Sequence, residues 1–147
     1  VGIRQAKAGQ WREAAAMALR LWPSHEQEEL EREFQQLLQN PDAAVFLLYD
    51  QNVPAGFAQC GIRRDYVEGS SGSPVGYLEG IFVTPEYRRR GFAKALLREC
   101  ERWCRQKGCL EMGSDCALEN RESQQFHLSG GFSEAGRIIC FIKNLGE

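Results

Sequence analysis

The sequence predicts a single α/β domain of the α+β kind, spanning residues 1–147, on three observations. Short apolar segments between residues 43 and 84, separated by turn residues, read as an antiparallel meander. One strongly amphipathic stretch runs from Arg89 to Lys107. The rest alternates, so a strand-rich part is followed by β-α-β-α-β, which belongs to one layered domain.

Each element has its own warrant. Gly2–Ala6 reads as a short opening strand. From Ala8 to Trp22, the residues Trp11, Ala14, Ala15, Ala18 and Trp22 form a helical stripe, which ends at Trp22-Pro23 because a residue before proline avoids the α region. A second helix starts near Glu26 with Leu30, Phe34, Leu37 and Leu38 on one face, and Asn40-Pro41-Asp42 stops it. Ala43–Tyr49 and Val53–Tyr66 are predicted strands around the turn Asp50-Gln51-Asn52. Gly69–Pro74 reads as a flexible connection, and Val75–Thr84 as a further strand closed by Pro85.

In the amphipathic helix the apolar positions are Ala93, Leu96, Leu97, Cys100, Trp103 and Cys104, and Gly108 stands where a C-terminal cap belongs. Cys109–Asp115 is a predicted strand, Asn120–Ser129 a short helix, Gly130-Gly131 a break and Ile138–Ile142 a final strand.

Composition narrows the function classes. Apolar residues make up 43% and charged residues 26%, as in an ordinary soluble domain. No apolar run approaches the ~20 residues that span a bilayer. Val1-Gly2-Ile3-Arg4 carries no signal-peptide pattern, so a cytoplasmic setting without a membrane partner is expected. The chain has 18 basic and 20 acidic residues, a net charge of −2, against the basic excess of nucleic-acid-binding domains. The cluster Arg88-Arg89-Arg90 is local and suits a small anion. Six cysteines (Cys60, Cys100, Cys104, Cys109, Cys116 and Cys140) without a secretion signal read as buried thiols, not a disulfide framework. Cys100 and Cys104 are one helical turn apart, but no Cys-x-x-Cys pair or nearby His supports a metal site, and none is expected.

Arg88 to Ala93 lies where a strand hands over to a helix. The unpaired N–H groups of a helix's first turn attract phosphate oxygens. Gly91 lets the backbone approach a bulky pyrophosphate, and Ala93 keeps the next position small. Arginines at a helix start oppose its dipole, a placement that makes sense when an anion neutralises them.

The segment Ile81-Phe82-Val83-Thr84-Pro85-Glu86-Tyr87-Arg88-Arg89-Arg90-Gly91-Phe92-Ala93-Lys94-Ala95-Leu96-Leu97 resembles the acetyl-CoA-binding motif of the GNAT N-acetyltransferase superfamily, Arg/Gln-x-x-Gly-x-Gly/Ala. Asn120, His127 and Gly131-Phe132 resemble that family's Asn…Tyr…Gly-Phe segment. The resemblance implies a GNAT fold: a mixed central sheet with an antiparallel N-terminal meander, flanked by about four helices. It implies that Ile81, Phe82 and Val83 meet the pantetheine arm of acetyl-CoA through backbone groups. Arg88, Arg89, Arg90, Gly91, Phe92 and Ala93 then hold the pyrophosphate, and Asn120 the CoA arm.

Four further segments resemble the aminoglycoside 6'-N-acetyltransferases of the chromosomal Gram-negative type. They are Leu21–His25, Ile62–Gly69, Ser73–Val83 and Gly113–Asp115. An aminoglycoside is a polycation, so its pocket should present carboxylates and flat surfaces. Glu79 interrupts an apolar strand just before the cofactor turn, and an acid there costs energy unless it faces water or a cation. Asp115 ends the strand after the main helix, while Trp22 and Tyr66 offer apolar faces with polar edges. The resemblance makes Trp22, Tyr66, Glu79 and Asp115 the acceptor-binding residues, and implies a homodimer. Members of this group add an acid shortly after the Gly-Phe pair, where this chain has Gly136; the nearby Glu134 is not in register with it.

The expected reaction is direct attack of an amine on the acetyl thioester. Glu79 and Asp115 share the holding of the ammonium and the relay of its proton. His127 stands where many family members place a tyrosine that protonates the leaving thiolate. Two other readings remain: a GNAT enzyme for another amine, such as a protein N-terminus, a polyamine or a metabolite, and a non-catalytic acyl-CoA sensor. A sensor needs only the turn, whereas this chain also carries Glu79 and Asp115.

Overall fold

Residues 1–146 are described by a computed structural model in two units, Val1–Asp115 and Cys116–Glu147. In the first unit Gly2–Gln5 (β1), Ala43–Asp50 (β2), Val53–Arg63 (β3), Val75–Val83 (β4) and Met112–Ser114 (β5) form one sheet in that order. The first four strands pair antiparallel and β5 lies parallel to β4, the mixed sheet expected from the sequence. The β2–β3 turn explains the tightest pairing. Gln51 and Asn52 both adopt positive φ, 50° and 68°, as a two-residue hairpin turn requires.

Three helices flank this sheet: Trp11–Leu21 (α1), Gln27–Leu37 (α2) and Phe92–Gln106 (α3). Buried Ala14, Ala15 and Ala18 of α1 and Leu30 and Phe34 of α2 pack with Val45, Leu47, Tyr49 and Phe57. Alternate residues of a strand point to opposite faces, so Phe46 faces the other layer, where it lines a cavity together with Trp103 of α3. With both faces covered, β2 is buried from Ala44 to Tyr49, which is why its sequence is apolar without alternation. On α3, Leu96, Leu97, Cys100, Trp103 and Cys104 are buried, the stripe that the 3.6-residue period predicted. In the second unit Arg121–Ser129 forms α4, begun by the Asn120 side chain accepting a hydrogen bond from the Ser123 N–H at 3.0 Å.

The boundaries differ from the sequence reading at informative places. β3 ends at Arg63, not Tyr66, because Arg63 already faces the first residue of β4, Val75, and residues 64–74 connect the two strands. The connection expected to be flexible is anchored by Glu111, whose carboxylate accepts from the Ser71 N–H at 2.8 Å and hydroxyl at 3.1 Å. α3 starts at Phe92, so Arg88, Arg89 and Arg90 precede the helix instead of beginning it. The predicted strand Ile138–Ile142 is not a strand: its residues carry strand propensity, but a strand exists only as part of a ladder and none is assigned there.

Four cysteines, Cys60, Cys100, Cys104 and Cys109, are buried thiols as expected, whereas Cys116 and Cys140 are exposed. Hydrogen bonding with neighbouring thiols and burial raise the pKa of Cys60 and Cys104, so both stay protonated and unreactive.

Candidate active site

Glu79 owes its position to an irregularity of β4. Gln59 pairs with Gly80 and Cys60 with Leu78, which leaves Glu79 as an extra residue in the ladder. Such a bulge re-aims a side chain. Here it follows the buried run Val75–Leu78 with an exposed carboxylate. The Arg63 Nη2 donates to both Glu79 oxygens at 3.0 Å. The same guanidinium lies 3.4 Å from the centroid of the Tyr77 ring. Tyr77 in turn donates its hydroxyl hydrogen to Asp115, the residue after β5. Burial, with the bond to Asp115 and its charge adding, raises the Tyr77 pKa, so this tyrosine remains a donor at neutral pH. The two acids singled out in the sequence are thus linked through Arg63 and Tyr77.

Trp22 stands at the C-terminal cap of α1. Its indole meets Phe57 edge-on at 6.2 Å and covers Gly80 so closely that a Cβ there would come within 2.6 Å of its Cζ2. Trp22 and Glu79 line one cavity of about 210 Å3, together with His25, Leu30, Glu33, Phe34, Leu37 and Gln59. Tyr66, expected on the strand, lies instead on the exposed loop after β3, with its hydroxyl 3.2 Å from Glu68. It is not among the cavity-lining residues.

The turn toward α3 grows from the end of β4. β5 ends at Ser114, opposite Leu78, so among the described residues the strand from Glu79 to Val83 has a sheet neighbour only on its β3 side. Ile81, Phe82 and Val83 lie on this stretch. A 3-10 turn over Pro85–Tyr87 follows, and the Tyr87 hydroxyl donates to Asp50. Arg88 is extended, and its Nε donates to the Val83 carbonyl at 2.8 Å. Arg88 is therefore tied to β4, while the Arg90 guanidinium rides 5.3 Å over the Tyr87 ring. Arg89 and Gly91 take positive φ, 63° and 80°. Gly91 is the N-cap of α3 and has no side chain to cap it. The N–H groups of the first turn, including those of Phe92 and Ala93, accordingly have no intrahelical acceptor.

In the second unit Asn120 already serves α4 as its N-cap. His127 is half-buried, packed edge-on against Phe126 and Phe132 at 5.7 and 5.1 Å. Its Nδ1 lies 2.7 Å from the Ser123 carbonyl, an acceptor only, so Nδ1 carries the hydrogen. Glu134 pairs with Arg137 at 2.7 Å, which lowers its pKa.

Arg63, Tyr77, His25 and Glu33 had no role in the sequence reading. Arg63 resembles any charge at a strand end; it stands opposite Val75, and its guanidinium reaches Glu79 by running over the Tyr77 ring. Glu33 lies on the polar side of α2, where charge is ordinary.

The family model for the acetyltransferase (GNAT) family matches residues 11–132. An aminoglycoside N(6')-acetyltransferase type 1 of Salmonella typhimurium is 44% identical over 123 residues, 84% of this chain and 85% of that protein. One from Acinetobacter baumannii is 39% identical over 145 residues, 98% of this chain and 97% of that protein. Among solved structures, AAC(6')-Iy in complex with the bisubstrate analogue CoA-S-monomethyl-acetylneamine is similar with a TM-score of 0.92 and 40% identity, over 97% of each chain.

Proposed function

The chain belongs to the GNAT acetyltransferase family, and from that premise we propose that it transfers the acetyl group of acetyl-CoA to the 6'-amine of aminoglycoside antibiotics, conferring resistance. The relatives named above, at 39–44% identity, carry this activity in their names. The observation on the chain itself that carries the reading is the bulged Glu79: it faces the cavity of Trp22 on the strand that leads directly into the α3 turn.

The residues fit both substrates. Open N–H groups at Phe92 and Ala93, an N-cap without a side chain and the exposed Arg89 and Arg90 suit a pyrophosphate. Arg88 shapes the turn through Val83 and reaches the phosphates less directly. The edge of β4 from Ile81 to Val83 offers backbone groups to an extended pantetheine arm, and Asn120 is assigned to the same arm. Acetyl-CoA supplies the activated acyl group when bound.

Only on the order of a thousandth of an alkyl amine with pKa ~10.4 is unprotonated at neutral pH. Glu79 and Asp115 hold the ammonium and accept its proton, directly or through water. Arg63 fixes Glu79, and the Tyr77 hydroxyl fixes Asp115. N–H groups near Phe82 and Val83 polarise the thioester carbonyl. With Nδ1 holding its hydrogen against Ser123, His127 gives a proton from Nε2 only as an imidazolium. Trp22 and Tyr66 pack against sugar faces, Tyr66 from its exposed loop.

The family match crosses residue 115, which supports one catalytic domain over residues 1–147. A homodimer is supported by the second unit: Ile138, Ile139, Phe141 and Ile142 are 76–100% exposed, more apolar surface than a lone chain keeps open. Among the described residues no helix is long and apolar enough to cross a membrane. The cytoplasm is the compartment proposed, since it keeps thiols such as these six reduced. The test is acetyl-CoA turnover with an aminoglycoside panel and mass-spectrometric mapping of the product. Acetylation at the 6'-amine is expected; no turnover, or modification of a different amine, overturns the assignment.

A further inference from the structure

Two carboxylates line the cavity beside Trp22, and they differ electrically. Glu79 is held by Arg63 through both oxygens, so much of its charge is already offset. Glu33, on α2, makes no ion pair or hydrogen bond among the described residues. The negative charge of this cavity that still lacks a counter-charge is therefore on Glu33. Its surroundings strengthen the demand for a cation. A Glu33 oxygen, a Glu29 oxygen and a His25 ring nitrogen lie within 4.8 Å of one another. Glu29 also approaches His25 Nδ1 at 3.7 Å. Two carboxylates one helical turn apart repel each other at this range, and a cation placed between Glu33 and the cavity relieves that.

We propose that Glu33 is a specificity-determining residue for the acceptor, holding a second ammonium group of a polycationic sugar while Glu79 and Asp115 serve the reacting amine. The inference rests on the aminoglycoside reading and deepens it. Glu33 supplies, from the helix wall, an acid to a chain that has Gly136 where an acid is expected. The position also makes a chemical distinction: an acceptor with one amine gains nothing from Glu33, and one with several gains a charge-assisted contact.

The experiment compares wild type, Glu33→Gln and Glu33→Asp on two acceptors, neamine with several amines and 6-amino-6-deoxyglucose with one. For Glu33→Gln the KM for neamine should rise at least fivefold, with kcat, the KM for acetyl-CoA and the kinetics of the monoamine changed less than twofold. Glu33→Asp should recover part of the loss. An unchanged KM for neamine overturns the proposal, as does an equal loss on both acceptors, which marks a structural effect on α2. If wild type acetylates neither sugar, the aminoglycoside reading itself falls, an outcome distinct from either.

Discussion

Gly91 and Gly108 stand at opposite ends of α3, and they separate cofactor binding from helix geometry. Both take positive φ, 80° and 89°, and at neither does an added Cβ meet a protein atom within 4 Å. Alanine at either site therefore carries the same cost, the left-handed backbone of an L-residue, roughly 1–2 kcal/mol. For a chain of this size that lowers Tm by about 2–8 °C. Only Gly91, as the N-cap of α3, adjoins the first-turn N–H groups that would face a phosphate. Loss of one charge-assisted hydrogen bond, about 1.5–3 kcal/mol, weakens binding by about tenfold to a hundredfold.

Isothermal titration with acetyl-CoA and thermal melts on Gly91→Ala and Gly108→Ala read the two effects apart. The melts should shift alike, and only Gly91→Ala should raise the Kd. Equal weakening in both variants, or an unchanged Kd in Gly91→Ala, refutes the assignment of this turn to the pyrophosphate.

Three further outcomes are expected. Glu79→Ala and Asp115→Ala should each lower kcat/KM with an aminoglycoside by more than about tenfold, since a general base contributes about a hundredfold or more and here two acids share the role; steady-state kinetics with both variants unimpaired would remove these acids from the mechanism. The Tyr49 pKa is pushed up to about 12, mainly by burial and then by its bond to Glu13. Between pH 10 and 12 the unfolded chain has lost this proton and the folded one has kept it, so stability is intact below pH 10 and falls through that window. Chemical denaturation of Tyr49→Phe over that range should show a shallower decline, and an identical slope would contradict the burial argument. Finally, Ile139→Lys with Phe141→Lys should convert a dimer to a monomer in sedimentation velocity, whereas a variant that stays dimeric places the interface elsewhere.

What the sequence made legible was local. α3 was readable because its 3.6-residue stripe is self-contained, and the Arg88–Ala93 turn because its backbone needs are written in Gly91. β2 and β3 were readable for the same reason, with a two-residue turn between them. The link from Glu79 to Asp115 was not readable, since it depends on register. Residues 64–74 set no fixed offset between β3 and β4, so nothing in the sequence places Arg63 beside Glu79 or signals a bulge. The end of β3 was misjudged on the same account, and Tyr66 with it. Glu33 was hidden differently, because a helix's polar face looks alike whether it borders water or a cavity. Ile138–Ile142 shows the reverse error: propensity names a strand, yet a neighbour has to supply its hydrogen bonds.

The extra residue in β4 also works as a change of parity. Ahead of it, a side chain at Gly76 would point at Cys104 of α3; beyond it, one at Gly80 would point at Trp22 and Leu21. Four positions along an unbroken strand share a face, so the inversion is made by Glu79 alone. Exchanging that residue for another keeps the count and with it the two layers. Deleting it would turn Phe82 from the α1 side toward α3 and disassemble the core on both sides at once. The chain can therefore lose this carboxylate by substitution but cannot shed the position. Mutation is free to explore chemistry there because the fold depends on the number of residues and not on their identity.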